Sequence, residues 1–270
     1  MSSHAQTAPD EKGLERLLHG LFIAAAVVNL GANFIAGIGA PVGPNIPAPP
    51  EPTGLLFWLL SVSKSLLVPT LAGYFALSAR GHVLNIRRGA LYGALLFCWI
   101  GDVALLFNDF FLYGMAAFAI AHLCFIAAYS KGLQLDAALK GRILIFAMPV
   151  VTYGYMIYMT LYLNLPSGQE SMALPLAGYM LVLLSNGMTC LLRALQVKLA
   201  SSPYILLGVV LFIQSDSLIA MTRFVDALAF ENFAIMLTYI IGLFLMVRGC
   251  LLDQAVPRQR PGLESVRLSA

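Results

Sequence analysis

Charge is scarce in this chain. Asp, Glu, Lys and Arg make up 11% of its 270 residues, where an ordinary soluble domain carries about 25%. Hydrophobic residues make up 60%, and mean hydropathy is +0.83. So thin a polar surface excludes an ordinary soluble domain. The net charge of +3 is spread along the chain, and no nucleic-acid partner is expected from it. Other absences narrow the chemistry. There is no HExxH pair for zinc, no glycine-rich phosphate loop and no nucleophile elbow, so a serine-hydrolase mechanism has no support. The four cysteines, Cys98, Cys124, Cys190 and Cys250, all fall in apolar runs. Buried single cysteines are usually packing residues, and no disulfide is expected. His122 and Cys124 stand two apart, a spacing that turns them away from each other on a helix. Neither a metal nor another cofactor is expected.

What the chain has instead is long apolar runs. About 20 residues of helix cross a bilayer, and runs of that length recur at 17–38, 55–77, 89–107, 110–129, 142–163, 172–194, 203–222 and 232–252. A transmembrane β-barrel would show short alternating segments instead. The reading is an all-α polytopic membrane protein, a bundle of eight transmembrane helices. Its Lys and Arg residues orient it. Lys12 and Arg16 precede the first span, and Arg80, Arg87 and Arg88 separate the second from the third. Lys131, Lys140 and Arg142 join four to five, Arg193 and Lys198 join six to seven, and Arg248, Arg258, Arg260 and Arg267 end the chain. The alternate connections hold none except Arg223. By the positive-inside rule, both termini and every basic connection are expected in the cytoplasm.

Residues 1–16 then form a mobile cytoplasmic leader, 17–252 the membrane domain, and 253–270 a mobile cytoplasmic tail. The first run follows a polar leader and ends without a clean cleavage site, so it is expected to remain as span one. The segment GIGAPVGPNIPAPPEPTG after it is too rich in Pro and Gly for helix. Gly89, Gly93, Gly101, Gly114 and Ala117 are expected to let helix backbones approach closely, and Pro69, Pro149 and Pro175 to kink their spans.

Four ionisable side chains interrupt the apolar runs: Lys64, Asp102, His122 and Asp216. A charge near the bilayer centre costs about 2.5–3.5 kcal/mol on insertion scales. All four are therefore expected to face a protein interior or a wet cavity. At about 1.5 Å per residue, Asp102 and Asp216 lie roughly 8–9 Å from the outer ends of spans three and seven, and Lys64 roughly 14 Å in. His122 is nearer the middle of span four. Matched depth would let both carboxylates and the lysine line one cavity, though each sits on its own helix and spacing does not bring them together. LLFCWIGDVALLF aligns with VVLFIQSDSLIAM at an offset of 216 − 102 = 114, and FAI recurs at 118–120 and 233–235, an offset of 115. That fits two parallel four-helix halves, each giving one Asp to a central site.

The same residues carry a family resemblance. Ser63-Lys64 in span two, Gly101-Asp102 in span three, His122 in span four and Leu211-Phe212-x-x-Ser215-Asp216-Ser217 in span seven, extended to Ala220 and Arg223-Phe224, carry it. With these, most of the chain resembles the YhhN/TMEM86 family of integral membrane proteins. Ser65 stands where the family often has Pro, and Phe125 where it often has Tyr. In the last span, Thr238 and Tyr239 are the nearest polar groups to a family Tyr-x-x-x-Gln-like patch. These departures bear on substrate preference more than on fold.

Characterised members of the family are lysoplasmalogenases. The resemblance therefore implies hydrolysis of the vinyl ether of a single-chain ether phospholipid, giving a fatty aldehyde and a glycerophospho-alcohol. Vinyl ethers hydrolyse by protonation at carbon, and water attacks the resulting oxocarbenium ion. The reaction needs one neutral carboxyl and one anionic group, a division of roles that paired carboxyls adopt in other acid–base enzymes. On this reading Asp102 and Asp216 are the catalytic pair, with acid and base undetermined. Lys64 holds one of them ionised or meets the lipid phosphate. His122 orients a partner or carries a proton, and Ser63 and Ser215 supply hydrogen bonds.

Each residue also has a plainer reading. Lys64 and an Asp can form a structural ion pair, and His122 can simply hydrogen-bond across the bundle. Asn29 and Asn33, four apart on one face, are read as glue between helices. Tyr153, Tyr155, Tyr158 and Tyr162, with Met148, Met156 and Met159, are core packing or an interfacial belt, or else the lining of a lipid tunnel. Asp109, Asp226, Arg223 and Glu231 are expected to be solvated at the outer ends of spans. The rival function is a proton-coupled transporter of a small molecule or lipid, built on the same intramembrane charges and a duplicated bundle. The expected location is the inner (cytoplasmic) membrane in a bacterium or the endoplasmic reticulum in a eukaryote.

Overall fold

In a lipid interior every backbone N–H and C=O must find its partner within the protein, which drives long apolar segments into helix. The computed structural model describes residues 9–40, 42–44, 53–134, 137–197 and 201–252. Among them are eight α-helices: α1 (Pro9–Gly37), α2 (Gly54–Ser78), α3 (Arg88–Ala104), α4 (Phe111–Tyr129), α5 (Ala137–Leu163), α6 (Ala173–Val197), α7 (Ser202–Phe224) and α8 (Glu231–Leu252). All but α3 are long and apolar enough to cross a membrane. At 17 residues, α3 stands at the lower limit of a spanning helix, about 17–25 residues. The connection after α1 contributes a two-residue strand β1 (Gly43–Pro44), paired antiparallel with β2 (Asp226–Ala227) in the α7–α8 connection.

Boundaries fall within a few residues of expectation, with three differences. Helix α1 begins at Pro9, so residues 9–16 of the expected leader are helical and Lys12 and Arg16 ride on its opening turns. Helix α5 begins at Ala137, five residues before 142. Helix α3 stops at Ala104 instead of running to 107. There the amides of Leu106 and Phe107 reach only three residues back, to the carbonyls of Val103 (3.2 Å) and Ala104 (3.1 Å), and this tightening ends the helix. A single 3₁₀ turn at Asn108–Phe110 then leads into α4. As a result Asp102 sits in the last turn of α3. Pro175 lies in the first turn of α6, where its missing N–H leaves no hydrogen bond unmade. Residues 1–8 and 253–270, with most of the expected leader and tail, lie outside the described residues.

Neighbour packing closes a circuit. In sequence order α1 packs on α2, α2 on α3, α3 on α4, then α4 on α6, α6 on α7, α7 on α8, and α8 back on α1. Helix α5 stands outside this ring against α6 and one edge of α7. Tyr155, Tyr162, Met148 and Met156 of α5 are exposed, as an aromatic belt or lipid-facing surface requires and a tunnel lining does not. The tightest crossing joins α7 to α8. A Cβ on Gly208 would lie 2.6 Å from the Gly242 carbonyl oxygen, and one on Gly242 would lie 2.8 Å from that of Gly208. The two backbones touch because neither residue has a side chain. Of the glycines expected to do this, Gly101 does so against the Phe118 ring, whereas Gly89 faces open space.

Asn29 of α1 donates to Ser63 Oγ (3.0 Å) and to the Leu60 carbonyl (3.4 Å), and Asn33 donates to Asn29 Oδ1 (3.0 Å). The pair thus ties α1 to α2, as expected of polar glue. Arg193 of α6, buried, donates to the carbonyls of Tyr129, Lys131 and Asn85, pinning the α2–α3 and α4–α5 connections at the basic end of the ring. Two apolar clusters result. The larger one fills the ring. A smaller one, centred on Leu161, Leu176 and Phe224 with Phe111 and Met115 against it, lies among α4, α5, α6 and α7 at the opposite end.

Candidate active site

The ring's centre is where the α3–α4 hairpin meets the α7–α8 hairpin through long side chains. Asp102 (α3), His122 (α4) and Asp216 (α7) are all buried there. Phe118, Phe212 and Tyr239 stack among them. Phe212 lies 5.3 Å from Tyr239 and 4.9 Å from His122, centroid to centroid, and Phe118 lies 6.1 Å from both Phe212 and Tyr239. Around these rings the buried polar groups form two hydrogen-bonded sets, one at each aspartate.

On one side, Asp102 accepts a hydrogen bond from the Tyr239 hydroxyl of α8, 2.6 Å at Oδ2, and faces Lys64 Nζ of α2 at 4.0 Å from Oδ1. The lysine side chain keeps 17% of its surface exposed, so the pair is sealed at the carboxylate and open at the ammonium. On the other side, Asp216 Oδ2 receives the Tyr179 hydroxyl of α6 at 2.6 Å and His122 Nε2 at 2.8 Å. His122 Nδ1 in turn lies 2.9 Å from Asn186 Nδ2 on α6, which is wholly buried. An amide nitrogen can only donate, so Nδ1 accepts and the ring proton sits on Nε2, aimed at Asp216. Tyr179 and Asn186 stand seven apart, two turns along one face of α6.

The two carboxylates also differ in what they open onto. Asp216 lines a cavity of about 30 Å³, above the 10–15 Å³ that a water requires. Its other walls are Leu105, Phe111, Met115, Phe118, Leu176, Tyr179, Ile219 and Ala220. They are almost wholly apolar, and half of them belong to the smaller cluster. Of the three residues expected to share one chamber, Asp216 lines this one, and Asp102 and Lys64 do not.

Ser63 and Ser215 belong to neither set. Ser215 Oγ donates to the Ile235 carbonyl at 3.0 Å, tying α7 to α8, and Ser63 receives Asn29. Neither hydroxyl bonds a carboxylate among the described residues. Ser217 instead meets the Tyr153 hydroxyl at 2.7 Å, linking α7 to α5. No group of three or more His, Cys, Asp or Glu able to hold a metal gathers among the described residues.

The profile of the YhhN family matches residues 59–250, a stretch that contains α3 to α7 and every polar residue of both sets. The chain belongs to the YhhN family. It is 35% identical over 149 residues to lysoplasmalogenase TMEM86B of Rattus norvegicus, covering 55% of this chain and 56% of that protein. It is 32% identical over 190 residues to lysoplasmalogenase TMEM86B of Homo sapiens, 70% of this chain and 74% of that one. The lysoplasmalogenase of Mycobacterium bovis is 30% identical over 160 residues, 58% of each chain. The chain thus spans between about half and two thirds of the first such relatives' length. No solved structure matches. As a YhhN-family member with seven helices fit to cross a bilayer, it is a multi-pass helical membrane protein.

Tyr179 and Asn186 went unread in the sequence, and Tyr239 was read only as a polar group in the last span. One signal was available for Tyr179. It follows Lys64 by 179 − 64 = 115, the offset of the repeated FAI, and each of the two residues faces one of the aspartates.

Proposed function

We propose that this protein hydrolyses the vinyl ether of a single-chain ether phospholipid within the membrane, releasing a fatty aldehyde and a glycerophospho-alcohol. The observation that carries the reading is the placement of Asp216. It is a buried carboxyl on the wall of an apolar, water-sized chamber, with one oxygen held by Tyr179 and His122. The lysoplasmalogenase relatives supply the substrate class.

The roles divide between the two aspartates. Asp216 is the acid. Its Oδ2 accepts from Tyr179 and His122 as a carbonyl does, and Oδ1, with no partner among the described residues, carries the proton toward the chamber. That proton passes to the β-carbon of the enol ether as the double bond's electron pair takes it up. The ether oxygen shares the resulting positive charge as an oxocarbenium ion. The two donors on Oδ2 stabilise the new carboxylate, which then takes a proton from water as it adds to the cationic carbon. The hemiacetal so formed breaks its bond to the glycerol oxygen. Its hydroxyl proton ends on the departing alcohol, and the aldehyde is left. Asp102, which faces Lys64 and accepts from Tyr239, is assigned the role of the anionic group that favours the cation electrostatically. With both termini and the basic connections cytoplasmic, as the distribution of Lys and Arg argues, the chamber opens in the outer half of the bilayer.

The test is aldehyde release by the purified protein in detergent, with lysoplasmalogen beside the matching acyl lysophospholipid. Aldehyde from the vinyl ether alone, lost in Asp216→Asn with the protein still folded, is the expected result. Folded wild-type protein that releases none would refute hydrolysis, and flux into proteoliposomes would then test the proton-coupled transporter.

A further inference from the structure

Fifteen of the chain's sixteen Lys and Arg residues lie in basic connections, in the termini or, for Lys64, beside Asp102. Arg223 is the exception. It stands in the last turn of α7, at the end away from the basic connections, where Asp109, Asp226 and Glu231 also lie. It is exposed, forms no ion pair among the described residues, and its guanidinium carbon lies over the Phe111 ring, 5.2 Å from the centroid. Phe111 is a wall of the Asp216 chamber.

The register of α7 makes this placement specific. Residues at i, i+3, i+4 and i+7 share one helix face, and here they are Asp216, Ile219, Ala220 and Arg223. The first three line the chamber. Arg223 continues their stripe two turns nearer the helix end, about 10 Å along the axis from Asp216. An unpaired guanidinium is thus held by an aromatic wall residue in line with the acid. A cation left merely to solvent needs neither the register nor the ring.

Building on the hydrolase reading, we propose that Arg223 binds the phosphate of the lysophospholipid and thereby sets how deep the enol ether enters the chamber. In such a lipid the phosphate and the ether oxygen sit on opposite carbons of one glycerol. An extended glycerol phosphate bridges a gap of the order that separates Arg223 from Asp216. The guanidinium fork suits a phosphate's paired oxygens, and stacking on Phe111 fixes its plane without consuming its N–H donors. The alkenyl chain then runs down the apolar wall formed by Leu105, Met115 and Leu176.

The experiment measures binding, so it does not depend on turnover. The full-length protein in detergent is titrated with a saturated 1-O-alkyl lysophospholipid, which has no double bond to protonate, and with the matching 1-O-alkylglycerol, which lacks phosphate. The wild type should prefer the phospholipid. In Arg223→Gln that preference should fall by about tenfold or more, the size of one charge-assisted contact, and Arg223→Lys should restore part of it. Because Arg223 is exposed, the thermal midpoint should stay put. Equal preference in Arg223→Gln and wild type would overturn the assignment. So would displacement of the phospholipid by millimolar inorganic phosphate, which would make the site one for a soluble anion. A failed aldehyde assay beside an Arg223-dependent preference would remove the hydrolase reading and keep the phosphate site.

Discussion

Asp102 sits in the last turn of α3 and Asp216 about two turns from the end of α7, and the protein surrounds the two carboxyls differently. Each receives a short tyrosine hydrogen bond from another helix, Tyr239 in one case and Tyr179 in the other. Asp102 has a lysine as its second partner and does not line the chamber. Asp216 has a neutral-capable imidazole and the chamber itself. A cation beside a buried carboxylate favours its charged form, while a histidine donating from Nε2 is compatible with either form. On the proposed reading, this difference in surroundings is what makes one aspartate the fixed charge and the other the proton donor.

Exchanging each carboxyl for an amide gives the comparison its largest test. Asp216→Asn removes the group assigned to proton transfer, and such groups contribute about 10²–10⁴-fold. Turnover should therefore fall by about 10³-fold with the protein still extractable and folded. Asp102→Asn removes only a field acting from outside the chamber, and the loss should be nearer tenfold. An Asp102→Asn loss as deep as that of Asp216→Asn, in folded protein, would mean that both carboxylates reach the substrate.

Lys64 tests the fixed-charge half through stability. Lys64→Met leaves Asp102 buried without its cation, and stranding one partner of a buried pair costs about 3–5 kcal/mol. The lysine's partial exposure and the 4.0 Å gap place the expected loss at or below the lower figure. Adding Asp102→Asn should return most of the thermal stability, since the uncompensated charge goes with it. A Lys64→Met protein as stable as wild type would show that Asp102 needs no counter-charge and is neutral.

Much of this arrangement was legible beforehand, for one physical reason. A charged side chain within an apolar run is an expensive anomaly, so Lys64, Asp102, His122 and Asp216 identified themselves, and the apolar lengths located the helices. What stayed hidden depends on which helix faces which. The bonds from α8 to Asp102 and from α4 to Asp216 arise where the α3–α4 and α7–α8 hairpins meet across the ring, and nothing in the separate spans encodes that pairing. Tyr179 was unremarked because tyrosine is at home at either end of a membrane helix. Asn186 was missed because one amide in an apolar helix reads as glue. The early end of α3, which puts Asp102 in a last turn, follows from a three-residue tightening that no periodicity announces.

The two tyrosines allow the finest distinction, because the same atom can be removed from each half. Tyr179→Phe deletes a donor to the carboxyl that gains negative charge as the proton leaves, so its hydrogen bond strengthens toward the transition state. Such an interaction lowers kcat when lost, here by about tenfold, the usual order for one charge-assisted bond. Tyr239→Phe deletes a donor to the carboxylate that the proposal keeps ionised before and after the reaction. That bond is equally strong in the ground and transition states, so its loss should appear in the thermal midpoint and hardly in kcat. Measured side by side on lysoplasmalogen, Tyr179→Phe should be catalytically impaired and Tyr239→Phe thermally impaired. The reverse pattern would exchange the roles of the two aspartates, and equal kcat losses would make them a single coupled pair.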